Sequence, residues 1–133
     1  RGMPITLSIV AIEVGRRLGV PIVGIGMPAH FVIRHATDEL FADPFGSGII
    51  YSRDGIVEQW QRRTQGDHLP ESALAPTSTR HVMLRVVNNL SVSLTADPEI
   101  ADPRLFRLAG ICGRLPEFAA DPARWRRALR HWN

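Results

Sequence analysis

The stretch from Val20 to Tyr51 leaves no room for a helix. It is a succession of short β-rich segments, "VPIVGIGM", "PAHFVIRH", "ELFADPF" and "IIY", broken by turn signals such as "GSG". Parallel neighbours need a crossover of a dozen or more residues, usually a helix, so three or four strands this close together predict an antiparallel sheet. With a helix ahead of them the pattern is α+β and not doubly wound. In the second segment, alternation puts His30, Val32 and Arg34 on one face and Phe31, Ile33 and His35 on the other.

The helix ahead of the strands is residues 4–18, "PITLSIVAIEVGRRL". Pro4 suits a first helical turn, where a missing N–H costs little, and Gly19 stands where a C-terminal cap belongs. Ile5, Ile9, Val10 and Ile12 make a broad apolar stripe, with Glu13, Arg16 and Arg17 nearer the polar side. So apolar a helix is expected to be central and nearly buried. After the strands, Ser52 can cap a helix "RDGIVEQWQRR". A polar loop around "TQGDHLPES" precedes "STRHVMLRVVNNLSVSL", an amphipathic helix expected to bury Val82, Leu84, Val86, Val87, Leu90 and Leu94. Asp102-Pro103 and Asp121-Pro122 repeat one start signal, an N-cap aspartate before proline, and open two more helices. The last of these, with Trp125, Leu129 and Trp132 turned inward, leaves its arginines solvated.

A chain of 133 residues fits one compact domain, or one domain with a small helical appendage. No apolar run approaches the roughly 20 residues of a membrane span, and the start has none of the order of a signal peptide. The expectation is a soluble, cytoplasmic protein without membrane contact. The single cysteine, Cys112, excludes an internal disulfide framework and a cysteine-rich zinc site. The net charge of +3 comes entirely from arginine on the basic side, since lysine is absent. The arginines are scattered except near the C-terminus, with no basic stripe interleaved with aromatics, so no nucleic-acid partner is expected.

Chemistry concentrates at His30 and Asp43, on neighbouring strands of the expected sheet. A carboxylate beside an imidazole fixes its tautomer and stabilises the imidazolium, and a nucleophile from a helix N-terminus completes such a site. A packed histidine and an Asp43 that merely caps the turn before Pro44 are the simpler alternatives. "GIGMPAH" lacks the glycine spacing and following helix of a phosphate loop. His30 and His35 lie on opposite faces, and no carboxylate–histidine cluster extends beyond Asp43, so neither metal nor cofactor is expected. Asp38 and Glu39 belong in a solvated hairpin turn. Asn88-Asn89, inside an apolar helix, are expected to hydrogen-bond backbone at an interface.

"RGMPITLSIVAIEVGRRLGVPIVGIGMPAHFVIR" and "LFADPFGSG" resemble the transglutaminase-like proteins of the bacterial SirB type, and "APTSTRHVMLRVVNNL" resembles the segment that follows in that family. The resemblance implies a papain/transglutaminase-like core, here residues 1–63, followed by tetratricopeptide-like helices over residues 64–133. Such proteins usually carry a further helical region before the motif, so this chain is expected to be a piece of a longer one. The wider superfamily works through cysteine, histidine and aspartate. Aligned without gaps, Gly2 matches its glycine, Ser8 its small alanine, and Arg16 with Gly19-Val20-Pro21 its helix end. His30 matches its histidine and Asp43-Pro44 its Asp-Pro. The cysteine position falls on Pro4, which has no nucleophilic atom.

The resemblance thus implies a noncatalytic domain that binds a protein or peptide partner, with His30 and Asp43 retained. Its rival is an amide-bond hydrolase or acyltransferase with His30 as base, Asp43 as orienter and Ser8 as nucleophile. Thr6 is the second hydroxyl candidate, although it can simply bond a helix carbonyl, and Ser8 can simply be a small packing residue. A third reading, an adaptor, places an apolar groove on residues 78–132. The sequence leaves the oligomeric state open.

Overall fold

The computed structural model describes residues 3–65, 68–95 and 114. The chain divides into two compact units, Arg1–Val82 and Met83–Asn133. The helices expected from Asp102 and Asp121, the inward Trp125, Leu129 and Trp132, and Cys112 lie outside the described residues.

Helix α1 spans Pro4–Leu18, with Pro4 in its first turn. Its end is set by Gly19, whose φ of 72° is the left-handed value that glycine adopts without steric cost. Arg16 and Arg17 sit in the last turn, where cations complement the exposed carbonyls. Both also pair with Glu13, at 2.8 and 2.9 Å. Hydrogen bonding and charge from Arg16, with further charge from Arg17, lower the Glu13 pKa from 4.5 to about 2. A depressed carboxylate pKa stabilises the fold above the unfolded value and ceases to do so as the pH falls through the folded one. The Glu13 contribution is therefore expected to vanish between pH 4.5 and about 2. An NMR titration of the carboxyl carbon should show the low midpoint, and Glu13→Gln should flatten that part of the stability–pH curve.

Four strands follow: β1 (Ile22–Ile25), β2 (Val32–His35), β3 (Phe41–Ala42) and β4 (Ile50–Tyr51). They form one sheet in the order β1-β2-β3-β4, every pair antiparallel. The register sets Ile25 opposite Val32, Arg34 opposite Phe41, and Phe41 opposite Tyr51. These residues share one face of the sheet. That face carries the core: Ile25, Met27, Val32 and Phe41 cluster with Ile56 and Trp60 of helix α2 (Arg53–Arg63), and with Leu69 and Leu74. Leu74 closes a single 3-10 turn, Glu71–Leu74, that the sequence does not announce. Pro76 then bridges Ile25, and Thr77 N–H donates to Gly24 O at 2.8 Å, so the chain runs along the outer side of β1. Ser52 caps α2 as expected, its hydroxyl accepting from Gly55 N–H at 3.2 Å.

Helix α1 packs on the opposite face, against β1 and β2. Ile5, Ser8 and Gly15 are its buried residues, and with Ile12 they follow the helical spacing of one side. The approach is close. A Cβ on Gly24 would stand 2.7 Å from Phe31 Cζ and 3.4 Å from Ile12 Cδ1, and one on Gly15 would stand 2.7 Å from Ile22 Cδ1. The expectation of a nearly buried helix is corrected here. Leu7, Val10, Val14 and Leu18 are 40–74% exposed along the other side, because the sheet covers only one side of α1. Val10, placed in the buried stripe by the sequence, belongs to this outer face.

Two further expectations change. Glu39 is half exposed but is not merely solvated: its Oε1 pairs with Arg34 at 3.4 Å and Arg53 at 3.3 Å, and Arg53 reaches on to Glu71 at 2.8 Å. In the second unit, helix α3 (Thr79–Thr95) continues with Val87 buried and Leu84 and Val86 half-buried, whereas Leu90 is exposed. Val82, at the end of the first unit, is buried as expected. The Leu94 side chain lies outside the description, and Asn88 and Asn89 are half-buried.

Candidate functional site

The site begins with a turn where the sequence pattern predicts strand. His30 N–H donates to Met27 O at 3.2 Å across Pro28 and Ala29. Proline suits the second position of such a turn, and Ala29 takes a positive φ of 53° at the third, where glycine is favoured. His30 therefore precedes β2, and its side chain follows the turn and not the strand alternation. The turn is pinned from α2, where Trp60 Nε1–H donates to Pro28 O at 3.2 Å.

Asp43 follows β3 directly and builds its own loop. Its Oδ1 accepts from Phe45 N–H at 3.0 Å, and its backbone carbonyl accepts from Gly46 and Gly48 N–H at 3.1 and 3.0 Å. Such aspartate turns arise from the short side chain reaching its own backbone two residues on. The packing is tight enough that a Cβ on Gly46 would fall 2.7 Å from Asp43 Oδ2. The turn cap and the partner of His30 thus prove to be one residue using two oxygens. Oδ1 holds the loop, while Oδ2 lies 3.1 Å from His30 Nε2.

The two side chains are well sheltered, His30 at 9% exposure and Asp43 at 1%. The contact is close but off-line: Oδ2 accepts no well-aligned hydrogen bond among the described residues. A carboxylate at Nε2 favours the proton there, which leaves Nδ1 as the basic nitrogen. A third group, which the sequence pattern does not single out, joins them. Arg63 Nη1 lies 3.3 Å from Nδ1 and 3.4 Å from Nε2, and Nη2 lies 3.6 Å from Asp43 Oδ2. Arg63 is one turn past Trp60, on the same side of α2, so the tryptophan that pins the turn also aims the arginine.

The hydroxyl candidates are placed as follows. Ser8 is fully buried on the sheet side of α1, and its Oγ donates to Pro4 O at 3.3 Å. Thr6 Oγ1 donates to Met3 O at 2.7 Å, within its own helix start. Pro4 is half-buried in the first turn. Among the described residues, no group of three or more histidine, cysteine, aspartate or glutamate side chains is placed to hold a metal ion. His35 is occupied elsewhere, its Nδ1 3.1 Å from Asp38 Oδ2 in an exposed turn. Among the described residues, no helix is long and apolar enough to cross a membrane.

The sequence itself has a counterpart among known families. The model of the transglutaminase-like superfamily matches residues 1–88. The chain belongs to the transglutaminase-like superfamily.

Its relatives include a UPF0162 protein of Xylella fastidiosa, 35% identical over 95 residues that cover 67% of this chain and 34% of the relative. A UPF0162 protein of Pseudomonas aeruginosa is 30% identical over 92 residues, covering 68% of this chain and 33% of the relative. The F-box only protein 21 of Mus musculus is 27% identical over 99 residues, covering 67% of this chain and 15% of the relative. The chain spans about one third of the length of the UPF0162 relatives it matches. No solved structure matches it.

Proposed function

We propose that this transglutaminase-like domain, of the SirB type, engages a protein or peptide partner around His30 and Asp43 without forming a covalent intermediate. In this reading it is a pseudoenzyme, a cytoplasmic scaffold or binding module whose following helices are tetratricopeptide-like. The observation that carries it is Ser8. Its hydroxyl is fully buried and committed to the Pro4 carbonyl, while the residue aligned with the superfamily's cysteine is a proline. An attacking group must reach both the imidazole and the substrate carbonyl, and a hydroxyl packed between helix and sheet reaches no substrate.

The close contact of His30 with Asp43 favours a second reading, an amide-bond hydrolase or acyltransferase. There, Ser8 Oγ would bond to the amide carbon as His30 takes its proton, and that proton would pass to the departing amine. The reaction requires Ser8 to leave its carbonyl and the sheet face.

A fluorophosphonate probe separates the two. The binding reading expects no adduct at Ser8 by peptide mass spectrometry. An adduct at Ser8 that is lost on His30→Ala would overturn it in favour of the hydrolase.

A further inference from the structure

We infer that Arg63 is a positioning residue of this site: its guanidinium covers one side of the His30 ring and, with Asp43 at the ring's edge, holds the imidazole in a single orientation. The distances carry the argument. One guanidinium nitrogen lies almost equally far from both ring nitrogens, 3.3 Å from Nδ1 and 3.4 Å from Nε2. In the ring plane, a nitrogen that far from both would run into Cε1. Nη1 therefore lies out of the plane, over the imidazole.

An aligned hydrogen bond runs along one nitrogen's lone pair, and this placement serves neither nitrogen. It is instead a cationic N–H set against the face of an aromatic ring. Arginine's fork can do this while sending a second nitrogen to a carboxylate, which lysine's single ammonium cannot. The same guanidinium directs Nη2 toward Asp43 Oδ2, 3.6 Å away, so one side chain spans both members of the pair. Its own side chain is 48% exposed, whereas the ring beneath it is 9% exposed. The cover is thus the solvent-facing layer of the site. The inference concerns how the imidazole is held and applies whether the site binds or catalyses.

The test uses the full chain with Arg63→Ala and Arg63→Lys. Diethyl pyrocarbonate acylates accessible imidazole, and peptide mass spectrometry reads the rate at His30 alone. The rate is expected to rise several-fold in Arg63→Ala and to stay raised in Arg63→Lys, which keeps the charge but not the two-nitrogen fork. The ring nitrogens supply a signature that a merely structural role would not move. The Nδ1 and Nε2 shifts of the parent should move in both variants as the cation leaves the ring face, with far-ultraviolet circular dichroism unchanged. An unchanged rate and unchanged shifts in Arg63→Ala, or full restoration by lysine, would overturn the inference. Absence of any partner for the chain would instead count against the proposed function alone.

Discussion

Trp60→Ala is expected to destabilise the Arg1–Val82 unit by about 3–5 kcal/mol, the range for removing a large aromatic from a packed core. Trp60 is 5% exposed and clusters with Phe41, Ile56 and Leu74. It also supplies the Nε1–H that holds Pro28 O at 3.2 Å. Truncation leaves a cavity and an unpaired carbonyl at the turn that carries His30. Trp60→Phe separates the two losses. It keeps most of the volume and should cost about 1–2 kcal/mol, the hydrogen bond and the indole remainder. Urea unfolding followed by circular dichroism measures both. Equal losses in the two variants would show that the hydrogen bond, and not the packing, dominates.

Asp43→Ala is the second large effect, expected at about 3 kcal/mol. Removing one member of a buried charge pair can cost about 3–5 kcal/mol. The lower figure applies because Arg63 is half exposed and can turn to water. Two jobs end at once. Phe45 N–H loses Oδ1, and His30 loses the carboxylate 3.1 Å away. Asp43→Asn keeps an oxygen for the Phe45 N–H and removes only the charge, so it should retain more stability than Asp43→Ala. An asparagine as damaging as alanine would mean that the charge, and not the turn, governs this loop.

Those two residues show what the sequence makes legible. Asp43-Pro44 and the glycines after it spell a turn, and that turn forms as the side-chain chemistry dictates. Ser52 and Gly19 set helix ends for equally local reasons, and four short strands without intervening helices had to pair antiparallel. Asp43 was readable both as a cap and as a partner of His30 because an aspartate has two oxygens, and here each does one task.

What resisted reading depends on distance or on small residues. Arg63 reaches His30 across 33 positions, and nothing in "QRR" distinguishes it from the neighbouring Arg62, which pairs with Glu58 on its own helix at 2.8 Å. Helix α1 is apolar on both sides, so hydrophobic periodicity alone selects no face. The buried side is the one carrying Ser8 and Gly15, because close approach to the sheet rewards small side chains over greasy ones. That leaves Val10 and Leu18 outside. Ser8 lies on that buried side, where its small side chain lets helix and sheet meet.

The proposed function rests on an alignment that sets Pro4 at the superfamily's cysteine position, facing the His30–Asp43 pair. The most direct measurement places a thiol there. In a Cys112→Ala background, Pro4→Cys places a cysteine in the first turn of α1, and the pH dependence of its alkylation by iodoacetamide reports its pKa. The account predicts a midpoint below about 7.5, against about 8.5 for a free cysteine, that climbs when His30→Ala is added. A thiol that titrates as a free one, or whose titration ignores His30, would contradict it.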